Sequence, residues 1–157
     1  INTHLEAFSE GDTKLQQIEK FHATLQDLDV QGITWVAGGD LNSLPNGSQR
    51  LTEFPDDCPG RFDPDDYSGE ENWLDDLFTD FNSAMDLTDY VDNEENWYTY
   101  TGDPDVGWNR TLDYMFTNGT WANDGSDNLV LQSEEQGGFD TIMLSDHAPV
   151  QVILEVP

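Results

Sequence analysis

The sequence predicts an α/β protein, a layered sandwich of helices on a mainly antiparallel sheet. Three observations predict it. Segments with strand patterning outnumber those with helical periodicity. Both predicted helices are amphipathic, so each needs a sheet face to cover. The 157 residues are 36% hydrophobic and 11% aromatic, enough apolar material for the core of one domain despite a heavy charge.

Ile1-Asn2-Thr3-His4-Leu5 opens the chain as a strand over residues 1–6. No initiator methionine, signal-peptide pattern or polar lead-in precedes it, so the chain is expected to belong to a longer protein. Residues 13–29 place Leu15, Ile18, Phe21, Leu25 and Leu28 three and four apart, the spacing of an amphipathic helix, and Gly32 is its stop signal. Ile33-Thr34-Trp35-Val36-Ala37-Gly38 is a nearly continuous apolar run, as expected of a strand buried on both faces. It runs into Gly39-Asp40-Leu41-Asn42 and then the loop Pro45-Asn46-Gly47. Residues 46–70 are rich in Pro and Gly, contain Cys58 and lack periodicity, so they are expected to form a long surface excursion. A second helix is expected over 71–84, where Trp73, Leu74, Leu77, Phe78, Phe81 and Met85 recur at helical spacing. Strands are expected at 97–101, 112–117, 128–133 and 149–156, the last alternating Val150, Val152, Leu154 and Val156 with polar neighbours.

Against 33 Asp and Glu stand 5 Lys and Arg, a formal net charge of −28. So few cations cannot build a phosphate-tracking patch, which excludes a basic nucleic-acid-binding module. No stretch approaches the roughly 18 apolar residues that a membrane span needs. The lone Cys58 excludes an internal disulfide and a cysteine-based zinc site. Self-repulsion on this scale destabilises a compact state in dilute buffer, and at about 1 M salt a Debye length of roughly 3 Å screens it. The composition therefore reads as adaptation to a salty medium, in an exported protein or in the cytoplasm of a halophile. The triplets beginning at Asn46, Asn109 and Asn118 fit the N-glycosylation pattern and tilt this towards export. Asp63-Pro64-Asp65-Asp66-Tyr67 and Asp103-Pro104-Asp105-Val106-Gly107 lack the Gly and Glu positions of an EF-hand loop, so a dedicated calcium-binding protein is set aside.

Acidic, amide and imidazole side chains gather where strands are expected to end: His4, Asp40, Asn42, Asp113, Asp146 and His147. In a strand-rich sandwich such ends converge on one face, where sites are built. The set supports metal-assisted hydrolysis. Hard oxygen ligands suit Mg²⁺ or Mn²⁺, with Ca²⁺ as a further candidate, bound on one or two carboxylates plus substrate phosphate. A carboxylate can activate water, an imidazolium can stabilise phosphoryl oxygens, and a second carboxylate can hold that imidazole in one tautomer. Adjacent Asp146 and His147 diverge in extended backbone, which suits one to metal and the other to phosphate. Ser145-Asp146-His147 is not a hydrolase triad, because three consecutive side chains cannot point at one another.

Four blocks in order, Asn2-Thr3-His4-Leu5, Gly39-Asp40-Leu41-Asn42, Leu112-Asp113-Tyr114-Met115-Phe116 and Ser145-Asp146-His147, span nearly the whole chain. Together they resemble the C-terminal half of the endonuclease/exonuclease/phosphatase superfamily, which includes pancreatic-type DNases, abasic-site endonucleases, inositol-polyphosphate 5-phosphatases and bacterial sphingomyelinases. The resemblance implies a four-layer α/β/β/α sandwich of the DNase type, of which this chain would be one mainly antiparallel sheet with its helices. It implies that Asp40 activates or positions the nucleophilic water, Asn42 orients phosphate or water, and His147 contacts the scissile phosphate with Asp113 paired to it. Asp146 is similar to the metal-associated aspartate, with Asp40 beside it, and His4 resembles a second phosphate-side imidazole. Where the family carries an Arg-x-x-Gln pair this chain has Lys14-x-x-Gln17, a point charge in place of a fork-shaped donor. Arg110 stands where the family often has a basic residue.

The resemblance further implies a metal-binding Glu in an N-terminal half that this sequence does not contain. The expected partners are that half or a second copy of the chain, together with a phosphate-ester substrate: nucleic acid, phospholipid or inositol phosphate. The competing expectation is a non-catalytic binding or structural module that keeps the fold.

Overall fold

A computed structural model describes residues 1–7, 12–51, 67, 69–136 and 141–155. Strand β1 (Asn2–His4) leads through helix α1 (Thr13–Val30) to β2 (Val36–Asp40). These strands pair in parallel, the arrangement for which a helical crossover is needed. Helix α2 (Asp75–Asp80), the two-residue strand β3 (Asn82–Ser83), helix α3 (Leu87–Asp92) and a 3₁₀ turn at Glu94–Trp97 follow. Strand β4 (Asp113–Thr117) runs antiparallel to both β2 and β3, giving a sheet of order β1-β2-β4-β3. Strands β5 (Leu129–Val130) and β6 (Val150–Gln151) form a separate antiparallel pair. The chain is thus α/β with a mixed, mainly antiparallel sheet.

The core lies between that sheet and the helices. Ile18, Phe21 and Leu25 of α1, with Leu74, Leu77 and Phe81 from the α2 region, bury against Trp35, Ala37, Leu41, Tyr114 and Phe116. Helix α1 ends at Gly32, as its sequence predicts. Gly32 takes a φ of 70°, its N–H donates to the Asp29 carbonyl, and the Ile33 N–H donates to that of Leu28. This is a Schellman closure, which favours glycine at the left-handed position.

Elsewhere the elements are shorter than their patterning predicts. Residues 97–101 form no strand. They make single bridges from Tyr100 to Arg110 and His147, and the Thr99 hydroxyl accepts the N–H groups of Leu112 (2.9 Å) and Asp113 (3.0 Å). A side chain thereby satisfies donors that a ladder would otherwise use. The helix expected over 71–84 is confined to Asp75–Asp80, because Asn82 and Ser83 pair with Thr117 and Phe116. Helix α3 lies outside both segments of helical periodicity; Asp86 caps it by accepting the N–H groups of Thr88 and Asp89. Among the described residues, strand pairing at 128–133 and 149–156 is limited to β5 and β6, with one further bridge between Trp121 and Leu154.

Of the expected surface excursion over 46–70, Asn46, Gly47, Gln49 and Gly69 are exposed as expected, whereas Ser48, Tyr67 and Glu70 are buried. Their polar atoms are drawn in by internal partners, Glu94 for Ser48 and Lys14 for Glu70. Cys58 and Asp63 to Asp66 lie outside the described residues. Trp35 and Trp121 are buried, and Trp73 and Trp97 pack on the core, so these indoles serve packing.

Candidate functional site

Register builds the site. His4 faces Asp40 across the β1–β2 ladder, and Asp40 faces Asp113 across the β2–β4 ladder. Residues opposed in a ladder project to the same side of a sheet, so these three side chains form one row. The fourth member comes from a loop. The Thr101 N–H donates to the Asp146 carbonyl (3.0 Å) and the Ala148 N–H to that of Thr99 (2.7 Å), clamping His147 between two backbone bonds. Ser145 accepts the His147 N–H (3.0 Å), which gives it the part of a turn former. The Tyr100 ring meets the His147 ring edge-on at 5.0 Å between centroids.

Within the row, His147 Nδ1 lies 2.7 Å from Asp113 Oδ2. That contact turns Nε2 towards Asp40, 3.6 Å from its Oδ2. His4 Nε2 approaches the same oxygen from the other side at 3.4 Å. Two imidazoles therefore converge on one carboxylate oxygen. The other oxygen, Oδ1, accepts the Asn42 N–H (2.8 Å), the local turn that Asx side chains favour. Asn42 itself is left-handed at a φ of 49°, and its side-chain Nδ2 donates inward to the Leu5 carbonyl (3.0 Å), tying β1 to the turn after β2.

Burial is graded across the site. The Asp40 side chain keeps 11% of its exposure, Asp113 19%, His147 29% and His4 74%, so the row opens to solvent at His4. Burial is the main influence on Asp40 and raises its pKa, with Asp113 adding to the rise. The Asn42 N–H bond and the two imidazoles oppose it. His147 is also raised, first by its hydrogen bond to Asp113; burial opposes this, and the charges of Asp113, Asp40 and Asp146 support it.

The structure thus brings together His4, Asp40, Asn42, Asp113 and His147. Asp146 is exposed at their edge, where its charge reaches His147. Arg110 stands one ring further back, its guanidinium 4.7 Å from the Tyr100 centroid and 5.8 Å from that of Tyr67. Among the described residues no three His, Cys, Asp or Glu side chains are grouped to hold a metal ion. A cavity of about 430 Å³ adjoins the site, lined by Asp113, His147, Met115, Ala148, Pro149 and Val150. A larger one of about 590 Å³, between Ser83, Trp97, Trp121 and Asn128, includes none of the site residues.

The sequence singled out Lys14 only through the resemblance and gave no expectation that it is buried behind the row. Lys14 is fully buried, and its Nζ donates to Glu70 Oε1 (2.7 Å) and to the Asn42 carbonyl (2.7 Å). The signal was present: Lys14, Ile18, Phe21 and Leu25 form the buried stripe of α1, whereas Leu15, expected in it, is only half-buried. Gln17, the other half of the Lys14-x-x-Gln17 pair, accepts the Glu6 N–H (2.8 Å). No protein-family model matches this chain, and no curated protein matches it.

Proposed function

We propose that this chain carries the catalytic row of a phosphoesterase that hydrolyses a phosphodiester or phosphomonoester with activated water. The single observation behind this reading is the convergence of His4 and His147 on Asp40, with Asp113 holding the far nitrogen of His147. In this proposal Asp40 accepts the proton of the attacking water as the water oxygen bonds to phosphorus, and the P–O bond to the alcohol breaks, the alcohol oxygen leaving to take a proton from solvent. His147, charged and oriented by Asp113, stabilises the negative charge that gathers on the phosphoryl oxygens. His4, exposed at the mouth, meets the substrate's phosphate. We propose the four-layer DNase-type sandwich as the architecture, with the described sheet as one of its two.

A divalent cation, Mg²⁺, Mn²⁺ or Ca²⁺, belongs to the proposal as an accessory. Exposed Asp146 is the carboxylate open to it, while both Asp40 oxygens already face donors. No third ligand stands with them among the described residues, so these residues do not fit a complete cation site. The steps above rest on protein groups alone. The net charge of −28 and the absence of Lys or Arg from the row favour a small phosphoester over a long polyanion. The same charge supports a saline setting, exported or in a halophile's cytoplasm.

The test is hydrolysis of bis-p-nitrophenyl phosphate and of supercoiled DNA by the native full-length polypeptide in molar salt, with Mg²⁺ and then with EDTA. Asp40→Ala and His147→Ala should each lower turnover by about 10²-fold or more, the usual contribution of a positioned acid or base. Turnover surviving in both variants would overturn the reading. A folded protein inert on both substrates would favour a non-catalytic module instead.

A further inference from the structure

A lysine with no exposed surface is costly unless its charge is paired and its ammonium has hydrogen-bond acceptors. Lys14 meets that demand at a particular place. Its ammonium lies 2.7 Å from Glu70 Oε1 and 2.7 Å from the Asn42 carbonyl, with the rings of Tyr67 and Trp73 at 5.4 and 5.7 Å. Glu70 is buried as well, and its second oxygen accepts the Ser43 hydroxyl (2.9 Å). The Tyr114 hydroxyl lies 2.8 Å from the Ser43 carbonyl. The ion pair thus grips two consecutive residues, Asn42 by its carbonyl and Ser43 by its side chain. Asn42 is the left-handed residue whose N–H holds Asp40 Oδ1.

We propose that Lys14, paired with Glu70, is a positioning residue for Asp40: it fixes the Asn42 turn, and the turn aims the carboxylate at the two imidazoles. A helix–sheet contact made only for stability would need an apolar side chain at this point of the α1 stripe. A buried ammonium on the carbonyl of a left-handed residue instead selects one orientation of that peptide. The consequence for turnover rests on the phosphoesterase reading, whereas the direction in which Asp40 points does not.

The test uses Lys14→Met/Glu70→Met, which removes both charges together, an exchange that folded proteins often tolerate. In the native full-length polypeptide acting on bis-p-nitrophenyl phosphate, kcat should fall about ten-fold or more, since small misplacements of a reacting group have large effects, while KM stays within about two-fold. In the same full-length polypeptide labelled with ¹⁵N, the Asn42 backbone amide should move upfield and exchange faster as its bond to Asp40 loosens. Lys14→Arg keeps the ion pair and is the second variant. It should lower kcat about three-fold or more and shift the same amide, because a planar fork cannot place a donor at the same point. A folded double variant with native kcat and a native Asn42 amide would overturn the proposal, and should the double variant not fold, the same pair of results from Lys14→Arg would do so. If the wild type fails to turn over the substrate, the phosphoesterase reading falls and the Asn42 amide alone decides the role of Lys14.

Discussion

His147 holds its proton to higher pH than a free imidazole because Asp113 bonds Nδ1 at 2.7 Å, and the charges of Asp113, Asp40 and Asp146 act in the same direction. Followed by NMR in EDTA, its titration should centre above the usual value of about 6.5, and Asp113→Asn should bring it back towards that value. The linkage has a definite sign. A folded-state pKa raised above the unfolded one contributes stability that is fully present below about pH 6.5 and is lost as pH rises through the folded value. Urea midpoints should therefore decline from pH 6.5 upward in the wild type and flatten in Asp113→Asn. A midpoint for His147 at or below 6.5 would remove the basis for calling it the charged partner of the row. Asn42 belongs to the same scale. Its left-handed φ of 49° is tolerable because Asn adopts that region more readily than most residues, and because its N–H, carbonyl and amide each have a partner.

Elements differ in what their glycines do. At Gly39, φ is 135°, and an added Cβ would fall 2.0 Å from the Thr3 carbonyl oxygen of the neighbouring strand. The close passage of β1 against β2 there brings His4 opposite Asp40. At Gly32 a Cβ would meet nothing within 4 Å, and only the φ of 70° opposes it. Gly39→Ala should cost about 3 kcal/mol or more, by strain and by displacement of β1. Gly32→Ala should cost only about 1 kcal/mol, the usual penalty of a left-handed L-residue. Urea unfolding of the two variants checks the difference, and equal losses would show that the approach of β1 to β2 relaxes freely. In helix α1 the buried stripe runs Lys14, Ile18, Phe21, Leu25, so the helix that covers the core also delivers the ammonium beneath the site.

For the molecule as a whole, 33 acidic side chains against 5 basic ones leave a charge that the fold does not neutralise internally. Lys14 is committed to Glu70 inside the protein and offers nothing to the surface. Raising salt from about 0.1 M to 1 M shortens the Debye length from about 10 to 3 Å, and the melting temperature should rise by about 5 °C or more. A melting temperature independent of salt would mean that the acidic surface is organised into local pairs rather than acting as a net charge. No helix among the described residues is long and apolar enough to cross a membrane, as expected from the hydropathy pattern.

The sequence by itself determined helix α1 and its stop at Gly32, the strand that runs into Asp40, and the row of polar residues at strand ends, because hydrophobic period and glycine placement are local properties. His4, Asp40, Asp113 and His147 were legible as candidates for the same reason: each stands where a patterned segment begins or ends. The apolar run is buried only from Trp35 on, with Ile33 and Thr34 exposed and the strand starting at Val36. The lengths of the strands were not legible. Whether the N–H groups of Leu112 and Asp113 join a ladder or bond the Thr99 hydroxyl depends on which segments meet. Only the tertiary structure decided the rest: that His4 and His147 share one oxygen of Asp40, and that Lys14 is buried against Glu70 from a distant part of the chain. A charge is read from sequence as a solvated group, and its burial is settled by a partner that no local pattern names.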